Sequence, residues 1–157
     1  MAIKIKLNVT KLLKLASAPC WQPSSFQPVL DQLHRRIPAE LMAASNRAFS
    51  REIAPDGTKW EPRSPAYVAW LKKHDPGKTK VLIRSGHLRQ SRQPFRRSNT
   101  SGVGSNLIYA AIHQMGGETG RGHKVAIPAR PYLGLDQYSK DKLQSIAQKL
   151  LQKYFKK

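Results

Sequence analysis

The segment Ile127-Pro128-Ala129-Arg130-Pro131-Tyr132-Leu133-Gly134 places two prolines around a single arginine. Each proline ring fixes its own φ and removes a backbone donor, and it biases the preceding residue toward an extended conformation. We therefore expect a stiff connector here, which we call the strut (127–134). A stiff strut is suited to presenting Arg130 and Tyr132 to another protein, and it is equally suited to clamping the protein core.

Apolar periodicity on both sides of the strut predicts a mixture of strands and helices. The predicted strands cover 2–9, 81–83, 94–104 and 124–127. The predicted helices cover 29–36, 39–52, 64–73, 86–92, 107–115 and 139–154. Because strands and helices do not alternate regularly, the predicted fold class is α+β, with a small, mostly antiparallel sheet packed against two or three helices.

Capping chemistry predicts where three of these helices begin. Pro38 is suited to the first turn of the 39–52 helix, because its missing N–H needs no partner there. Ser64 followed by Pro65 predicts an N-cap and a first helical residue. Ser139 is the expected N-cap of the final helix, which is amphipathic and lysine-rich. The glycines at 116–122 predict a flexible loop between the 107–115 helix and the 124–127 strand.

The 157-residue length fits one domain with an arm. We predict a basic N-terminal strand and loop over 1–27 and a single α+β domain over 28–157, which ends in the amphipathic helix. No apolar run approaches the roughly 20 residues of a membrane span. Lys14 interrupts the short apolar run that precedes Cys20, so we predict no signal peptide, and by default a cytosolic protein.

The chain is strongly basic, with 28 Lys and Arg against 9 Asp and Glu and a formal net charge of +19. Residues 76–117 carry seven bases and no acid. Such a charge attracts polyanions, so nucleic acid, an acidic protein surface and an anionic membrane are the possible partners, in addition to a solvated basic surface without a specific partner.

No set of residues has the spacing of a known catalytic or metal site. The five histidines lack the i,i+4 pairing of a helical zinc site, and Cys20 is the single cysteine. The glycine-rich stretch 117–124 places His123 and Lys124 where a phosphate-binding loop requires Lys and Ser or Thr. Because the carboxylates are scattered, a hydrolase or nuclease mechanism also lacks its metal ligands. We predict a protein without enzymatic activity, cofactor or metal ion.

Aromatic and rigid positions supply the candidate contact residues. Trp60 follows the tight turn 55–57, which delivers its ring either to the core or to an exposed interface. Tyr109 and His113 are four residues apart on a predicted helix and share one face. Together with Arg130 and Tyr132 of the strut, these three residues form the predicted assembly interface.

Five segments of this chain, in their order and spacing, resemble the phage virion morphogenesis family, whose members are also described as tail completion proteins. One departure is Ser85, where we expect threonine before the glycine. The segments are Pro55-Asp56-Gly57 with Trp60-Glu61-Pro62, 67–73, Val81-Leu82-Ile83 with Ser85-Gly86-His87-Leu88 and Ser91, Tyr109-Ala110-Ala111-Ile112-His113-Gln114 with Gly116-Gly117, and 127–135.

The resemblance implies a structural, non-enzymatic protein of a tailed phage or prophage that completes the tail and makes it competent to join the head. It implies other tail or head–neck proteins as partners, and a location first in the bacterial cytoplasm and then in the virion. It also suggests kinship with small α+β neck and tail-terminator proteins, which commonly form rings of identical subunits.

A ring on the path of the DNA would give the positive charge a use. Basic side chains in its lumen would meet phosphates without reading the sequence of bases. The acid-free segment supplies the DNA-facing candidates, which are Arg89, Arg92, Arg96 and Arg97. The alternative function is a general, non-specific nucleic-acid-binding protein, for which salt-dependent binding to duplex DNA by the isolated chain is expected.

Overall fold

The computed structural model describes residues 3–7, 27–97 and 100–155, and within these ranges the predicted α+β class is confirmed. The possible signal segment and Cys20 lie outside the described residues. The strands are β1 (Ile3–Leu7), β2 (Arg92–Arg97), β3 (Thr100–Ser105), β4 (Gly117–Thr119) and β5 (Val125–Ile127). The helices are α1 (Gln27–Arg51), α2 (Pro65–His74), α3 (His87–Gln90), α4 (Ala110–Met115) and α5 (Gln137–Phe155).

The main sheet is antiparallel, with the order β1-β3-β2, and helices α1 and α5 pack on each other beside it. Strand β1 lies in the predicted N-terminal region 1–27 and pairs with β3 from Ile3↔Ser105 to Leu7↔Ser101. The division of the chain after residue 27 stays a prediction. Strands β4 and β5 form a separate antiparallel hairpin, so part of the predicted flexible glycine loop is regular structure.

Helix α1 runs unbroken through Pro38, so the prediction of two separate helical runs is wrong. Proline inside a helix removes one backbone hydrogen bond and costs about 3 kcal/mol. Val29, Leu33, Ile37 and Leu41 are buried on both sides of it. Each such side chain contributes roughly 1.5–3 kcal/mol when fully buried. A continuous apolar face therefore outweighs the local preference of proline for a helix start.

The segment Val81-Leu82-Ile83 is a turn and not the predicted strand. Leu82 adopts a positive φ of 59°, which is incompatible with an extended strand. The N–H of Val81 donates to Oε1 of Glu52 at 2.5 Å, and Val81 is buried. The apolar run is therefore explained by packing against the core rather than by strand pairing.

Helix α2 begins as its local sequence predicts. Pro65 is its first residue, and the hydroxyl of Ser64 accepts a hydrogen bond from the N–H of Tyr67 at 3.4 Å. Helix α3 and strand β5 also fall within their predicted segments, and the polar stretch after α3 forms the hairpin strands β2 and β3.

Helix α5 begins three residues earlier than predicted, because Asp136 and not Ser139 caps it. Oδ1 of Asp136 accepts the N–H of Ser139 at 2.9 Å, as an N-cap does. Ser139 is buried inside the helix. The guanidinium of Arg47 on α1 donates to both carboxylate oxygens of Asp136, at 2.6 and 2.9 Å, and to the hydroxyl of Ser139 at 2.6 Å. This charged pair joins α1 to the start of α5.

The Arg47–Asp136 pair predicts a specific dependence of stability on pH. The hydrogen bond from Arg47 lowers the pKa of Asp136 to about 2. Because the pKa falls on folding, the pair stabilises the protein above pH 4 and loses its contribution as the pH falls toward 2. Asp136→Asn should lower the free energy of unfolding by about 2 kcal/mol near neutral pH.

Urea unfolding of both proteins at several pH values checks this expectation. The difference between wild type and variant should shrink toward zero at the acid end, where the carboxyl is protonated. Asparagine can still cap the helix, so the comparison isolates the charge. A difference that stays constant with pH would show that the loss in Asp136→Asn does not come from the carboxylate charge.

Candidate assembly interface

The strut runs into the core of the protein, where Tyr132 is 0% exposed. The Tyr132 ring lies against Phe49, with ring centroids 5.4 Å apart, and the rings of Phe49 and Trp60 are nearly perpendicular, with centroids 5.6 Å apart. The Tyr132 hydroxyl donates to the carbonyl of Ala110 at 3.2 Å. Burial raises the pKa of Tyr132 to about 12, so the hydroxyl keeps the proton that it donates.

The side chain of Gln114 on α4 holds the backbone of the strut. Its Oε1 accepts the N–H groups of Tyr132 and Leu133, both at 3.0 Å, and its Nε2 donates to the carbonyl of Leu133 at 3.0 Å. At the end of the strut, Gly134 lies so close to Pro55 that an added Cβ would be 2.8 Å from the proline ring. Glycine is therefore required there for space.

Arg130 and Trp60 connect the strut to the 60–62 segment. Arg130 donates to the carbonyls of Glu61 at 2.7 Å and Pro62 at 2.9 Å, and the indole N–H of Trp60 donates to the carbonyl of Pro131 at 2.9 Å. Burial lowers the pKa of Arg130. Two donors of this guanidinium are thus engaged by backbone carbonyls of its own chain.

Three of the five predicted interface residues therefore lie in the interior of the protein and hold it together. Trp60, Arg130 and Tyr132 are all buried, so their side chains present no exposed contact surface on this chain. Of the two roles that the sequence leaves open for the strut, the structure favours the clamp. The sequence could not separate these roles, because the partners of Tyr132 lie far away along the chain.

Tyr109 and His113 share one face of the α4 region, as predicted, with their rings edge to face at 6.0 Å. Tyr109 is exposed, whereas His113 is only partly accessible. Burial, followed by the nearby charge of Arg130, lowers the pKa of His113. The backbone of His113 also holds the strut, because its carbonyl accepts the N–H of Arg130 at 2.8 Å.

Two further exposed apolar side chains were missed by the sequence analysis, one just before α4 (Ile108) and one at its last residue (Met115). Ile108 is 86% exposed and Met115 is 70% exposed. A six-residue helix is about 9 Å long, so Ile108, Tyr109 and Met115 lie within one short segment, which we call the α4 surface. Because three large apolar side chains are exposed on this one short segment, it is a candidate contact surface. Periodicity alone could not identify them, because it does not show which apolar residues find a partner in the core.

Arg92 is only 4% exposed, which removes it from the predicted DNA-facing set. Its guanidinium lies 5.0 Å from the centre of the Phe49 ring and donates to the carbonyl of Arg89 at 2.7 Å and to Oδ1 of Asn46 at 2.8 Å. Burial, followed by the charge of Arg89, lowers the pKa of Arg92 to about 10. Arg92 is a buried cation that joins β2 to α1.

Arg89, Arg96 and Arg97 are exposed, but they do not form one row. Adjacent residues of a strand point to opposite faces of the sheet, so Arg96 and Arg97 on β2 diverge. Arg96 pairs in register with Ser101, whose hydroxyl contacts His34 of α1. Contact between these arginines and DNA stays a prediction.

The described part of the chain contains no group of three or more His, Cys, Asp or Glu side chains that could hold a metal ion. Over the same residues, none of the helices combines the length and the apolar character that crossing a membrane requires.

Comparison with known proteins assigns the chain to a family. The model of the phage virion morphogenesis family matches residues 11–152. A protein of Escherichia phage Mu that is named for capsid assembly, protein G, is 37% identical over 123 residues, which are 71% of this chain and 79% of the phage protein. The Mu-like prophage FluMu G protein 2 of Haemophilus influenzae is 52% identical over 52 residues, which are 33% and 38% of the two chains. No solved structure matches. This chain, with its clamped strut and exposed α4 surface, belongs to the phage virion morphogenesis family.

Proposed function

We propose that this protein completes the phage tail and enables stable joining of the head to the tail, and that it acts by protein–protein contacts without catalysis. The observation that carries the proposal is the α4 surface, because exposed apolar side chains sit on a segment that the strut holds rigid. The role of the family in virion morphogenesis supports the proposal. The phage Mu relative is named for capsid assembly, and a protein at the head–tail junction contacts the head.

Rigidity is what makes the α4 surface suitable for assembly. Gln114 and His113 fasten α4 to the strut through four hydrogen bonds of 2.8–3.0 Å. A surface that is already ordered loses little conformational entropy when it binds. Tyr109 adds an aromatic ring with a polar tip, which is typical of interface anchors.

Other tail or head–neck proteins are the proposed partners, and self-association into a ring on assembly is part of the proposal. Closed symmetry is the usual arrangement of identical subunits. The proposed locations are the cytoplasm of the bacterial host during assembly and then the tail or neck of the virion.

Substitutions on the α4 surface test this function. Ile108→Glu and Met115→Glu place a charge in an apolar contact, and each should reduce the yield of infectious particles about tenfold or more, since tenfold corresponds to 1.4 kcal/mol of binding. The measurement is plaque titre, together with electron microscopy of lysates that lack the protein or contain a variant. We expect complete heads and tails that remain unjoined.

Asp141→Asn provides the matched control, because it changes one charge at an exposed site on α5. It should leave the yield unchanged. Normal joining of heads and tails in lysates without the protein would contradict the proposed function. Normal joining with both glutamate variants would place the contact elsewhere on the molecule.

A second function, non-specific binding to DNA, is favoured by one observation. Arg89, Arg96 and Arg97 are exposed within a segment that has no acid. If this function holds, the isolated protein binds duplex DNA, and the affinity falls steeply as the salt concentration rises. A plot of the logarithm of the binding constant against the logarithm of the salt concentration should have a slope of roughly −1 for each phosphate that the protein neutralises. Loss of this salt dependence of DNA binding in the double variant Arg96→Gln, Arg97→Gln would support the second function.

A further inference from the structure

The apolar part of the α4 surface continues onto the β4–β5 hairpin. A Cβ added to Gly117 would lie 3.7 Å from the side chain of Ile112 on α4, so Ile112 covers one face of the hairpin. Gly117 pairs across the hairpin with Ile127, whose side chain is on that same face. Val125 lies two positions before Ile127 on β5, so it shares the face. Ile127 is half-buried, and Val125 is 53% exposed.

Helical spacing brings the apolar side chains of α4 to one side. Ile108, Ile112 and Met115 are spaced i, i+4 and i+7, which places them on a single helix face. The turn before α4 continues the helix, because the N–H of Ala110 donates to the carbonyl of Leu107 at 3.1 Å. Ala110 is 0% exposed and lies on the opposite side, toward the core. We call the surface formed by Ile108, Ile112, Met115, Val125 and Ile127 the apolar face.

The apolar face lies in the least charged part of a strongly basic chain. Residues 98–117 are the longest stretch of the sequence without Lys, Arg, Asp or Glu. His113, within this stretch, is neutral near pH 7, because burial lowers its pKa. Charges of both signs resume on the hairpin, at Glu118, Arg121 and Lys124. The helical half of the apolar face is therefore uncharged.

This lack of charge indicates the kind of partner. An acidic protein or a nucleic acid is attracted by Lys and Arg side chains, and the helical half of the apolar face offers none. A second copy of this chain is repelled by most of the surface of the first, since each copy carries a net charge of +19. At the apolar face two copies approach with the least repulsion, and each offers the other an apolar surface to bury.

We propose that two copies of this chain pair through their apolar faces, in a two-fold contact that uses the same face on both copies. Two-fold contacts of this kind are the commonest between identical chains. The inference rests on the proposed function. In the free protein the pairing covers the surface that a head or tail protein contacts on assembly, so the second copy and that protein compete for it.

The contact is small, and so is its expected affinity. Specific interfaces that bury less than about 1,200 Å² in total are typically weak. We expect a dissociation constant on the order of 10–100 μM. Sedimentation equilibrium on the purified full chain, treated with nuclease to remove bound nucleic acid, measures the pairing. With rising concentration, the average mass should increase from that of one chain toward that of two.

The effect of salt distinguishes this pairing from bridging by a polyanion. Raising NaCl from roughly 0.1 M to roughly 0.5 M should strengthen pairing about threefold or more, because salt screens the repulsion between two positive copies. An association that weakens with salt would overturn the proposal. A chain that stays monomeric at every concentration, or that grows beyond the dimer, would also overturn it, since a two-fold contact closes at two copies.

Neutral substitutions locate the contact without altering the net charge. Ile108→Ser and Met115→Gln each remove exposed apolar surface and should weaken pairing about tenfold or more. Val68→Ser is the matched control, because Val68 is an apolar side chain on α2 that is 38% exposed. It should leave pairing unchanged. Equal losses in Val68→Ser and Ile108→Ser would overturn the proposal, since the association would then be diffuse.

A local readout completes the test. With the methionine methyl groups labelled with carbon-13, the resonance of Met115, assigned with Met115→Gln, should shift as the protein concentration rises. The resonance of Met42, which packs against the core, should stay in place. A Met115 resonance that does not move while the mass doubles would overturn the proposal.

The outcomes separate this inference from the proposed function. Loss of head–tail joining in lysates that contain Ile108→Glu, together with a wild-type protein that stays monomeric, would retain the proposed function and overturn the pairing. Pairing of the purified protein, together with normal joining in lysates without it, would retain the pairing and contradict the proposed function.

Discussion

Replacing Tyr132 by alanine is expected to lower the free energy of unfolding by about 3–5 kcal/mol. The ring is completely buried, packs on Phe49, and donates its hydroxyl proton to Ala110. Alanine would leave a cavity at the point where the strut meets α1 and α4. Chemical denaturation followed by far-UV circular dichroism measures the loss.

Two matched variants separate the causes of this loss. Tyr132→Phe removes only the hydroxyl, leaves the carbonyl of Ala110 without its side-chain donor, and should cost about 1–2 kcal/mol. Ile108→Ala removes an apolar side chain that is 86% exposed and should change stability by less than about 0.5 kcal/mol. A similar loss for Tyr132→Ala and Ile108→Ala would contradict the role of the strut as a core clamp.

Replacing Gly116 by alanine is expected to cost about 3 kcal/mol. Gly116 has φ 74° and ψ 177°, a region that is essentially restricted to glycine and costs other residues about 1–3 kcal/mol. In addition, an added Cβ would lie 2.8 Å from the backbone nitrogen of Ala129. The strain and the clash act together at the point where α4 meets the strut.

Gly57→Ala is the control, because Gly57 also has a positive φ of 94° but nothing lies within 4 Å of an added Cβ. This variant should lose about 1–2 kcal/mol through backbone strain alone. Denaturant unfolding of both variants gives the comparison. If Gly57→Ala were as destabilising as Gly116→Ala, the close approach of Ala129 would not be what requires glycine at position 116.

Local chemistry predicted the parts of the fold that depend on neighbouring residues. Ser64 and Pro65 start α2 because an N-cap acts within three residues. Tyr109 and His113 share a face because helical spacing places them there. The predictions were wrong where contacts between residues far apart in the sequence determine the structure. Buried apolar side chains carry α1 through Pro38, and Arg47, 89 residues before Asp136 in the chain, holds the cap of α5.

The same difference between local and distant contacts explains which properties of the candidate site residues the sequence could predict. Sequence pattern identified Trp60 and Arg92 as notable residues, but it could not show that both are buried, because the groups they contact come from remote segments. Arg92 donates to Asn46, and Trp60 donates to Pro131. Conversely, the exposure of Ile108 and Met115 follows from the absence of a neighbouring element over them in the described part of the chain.

Three of the five segments that carry the family resemblance meet at the strut. Residues 55–62, 109–117 and 127–135 are joined by hydrogen bonds of Trp60, Arg130 and Gln114 and by the contact of Gly134 with Pro55. These three segments therefore build the scaffold around the strut, and one of them, 109–117, also carries Tyr109 and Met115 of the α4 surface.

Restoring particle assembly with purified protein tests the central claim, that this protein contributes contact surface and not catalysis. Increasing amounts are added to a lysate that lacks the protein, and infectious particles are counted. If the protein is a structural component, yield should rise in proportion to the protein added and saturate at a fixed number of copies per particle. Full recovery at far less than one copy per particle, or recovery without any added protein, would contradict the account.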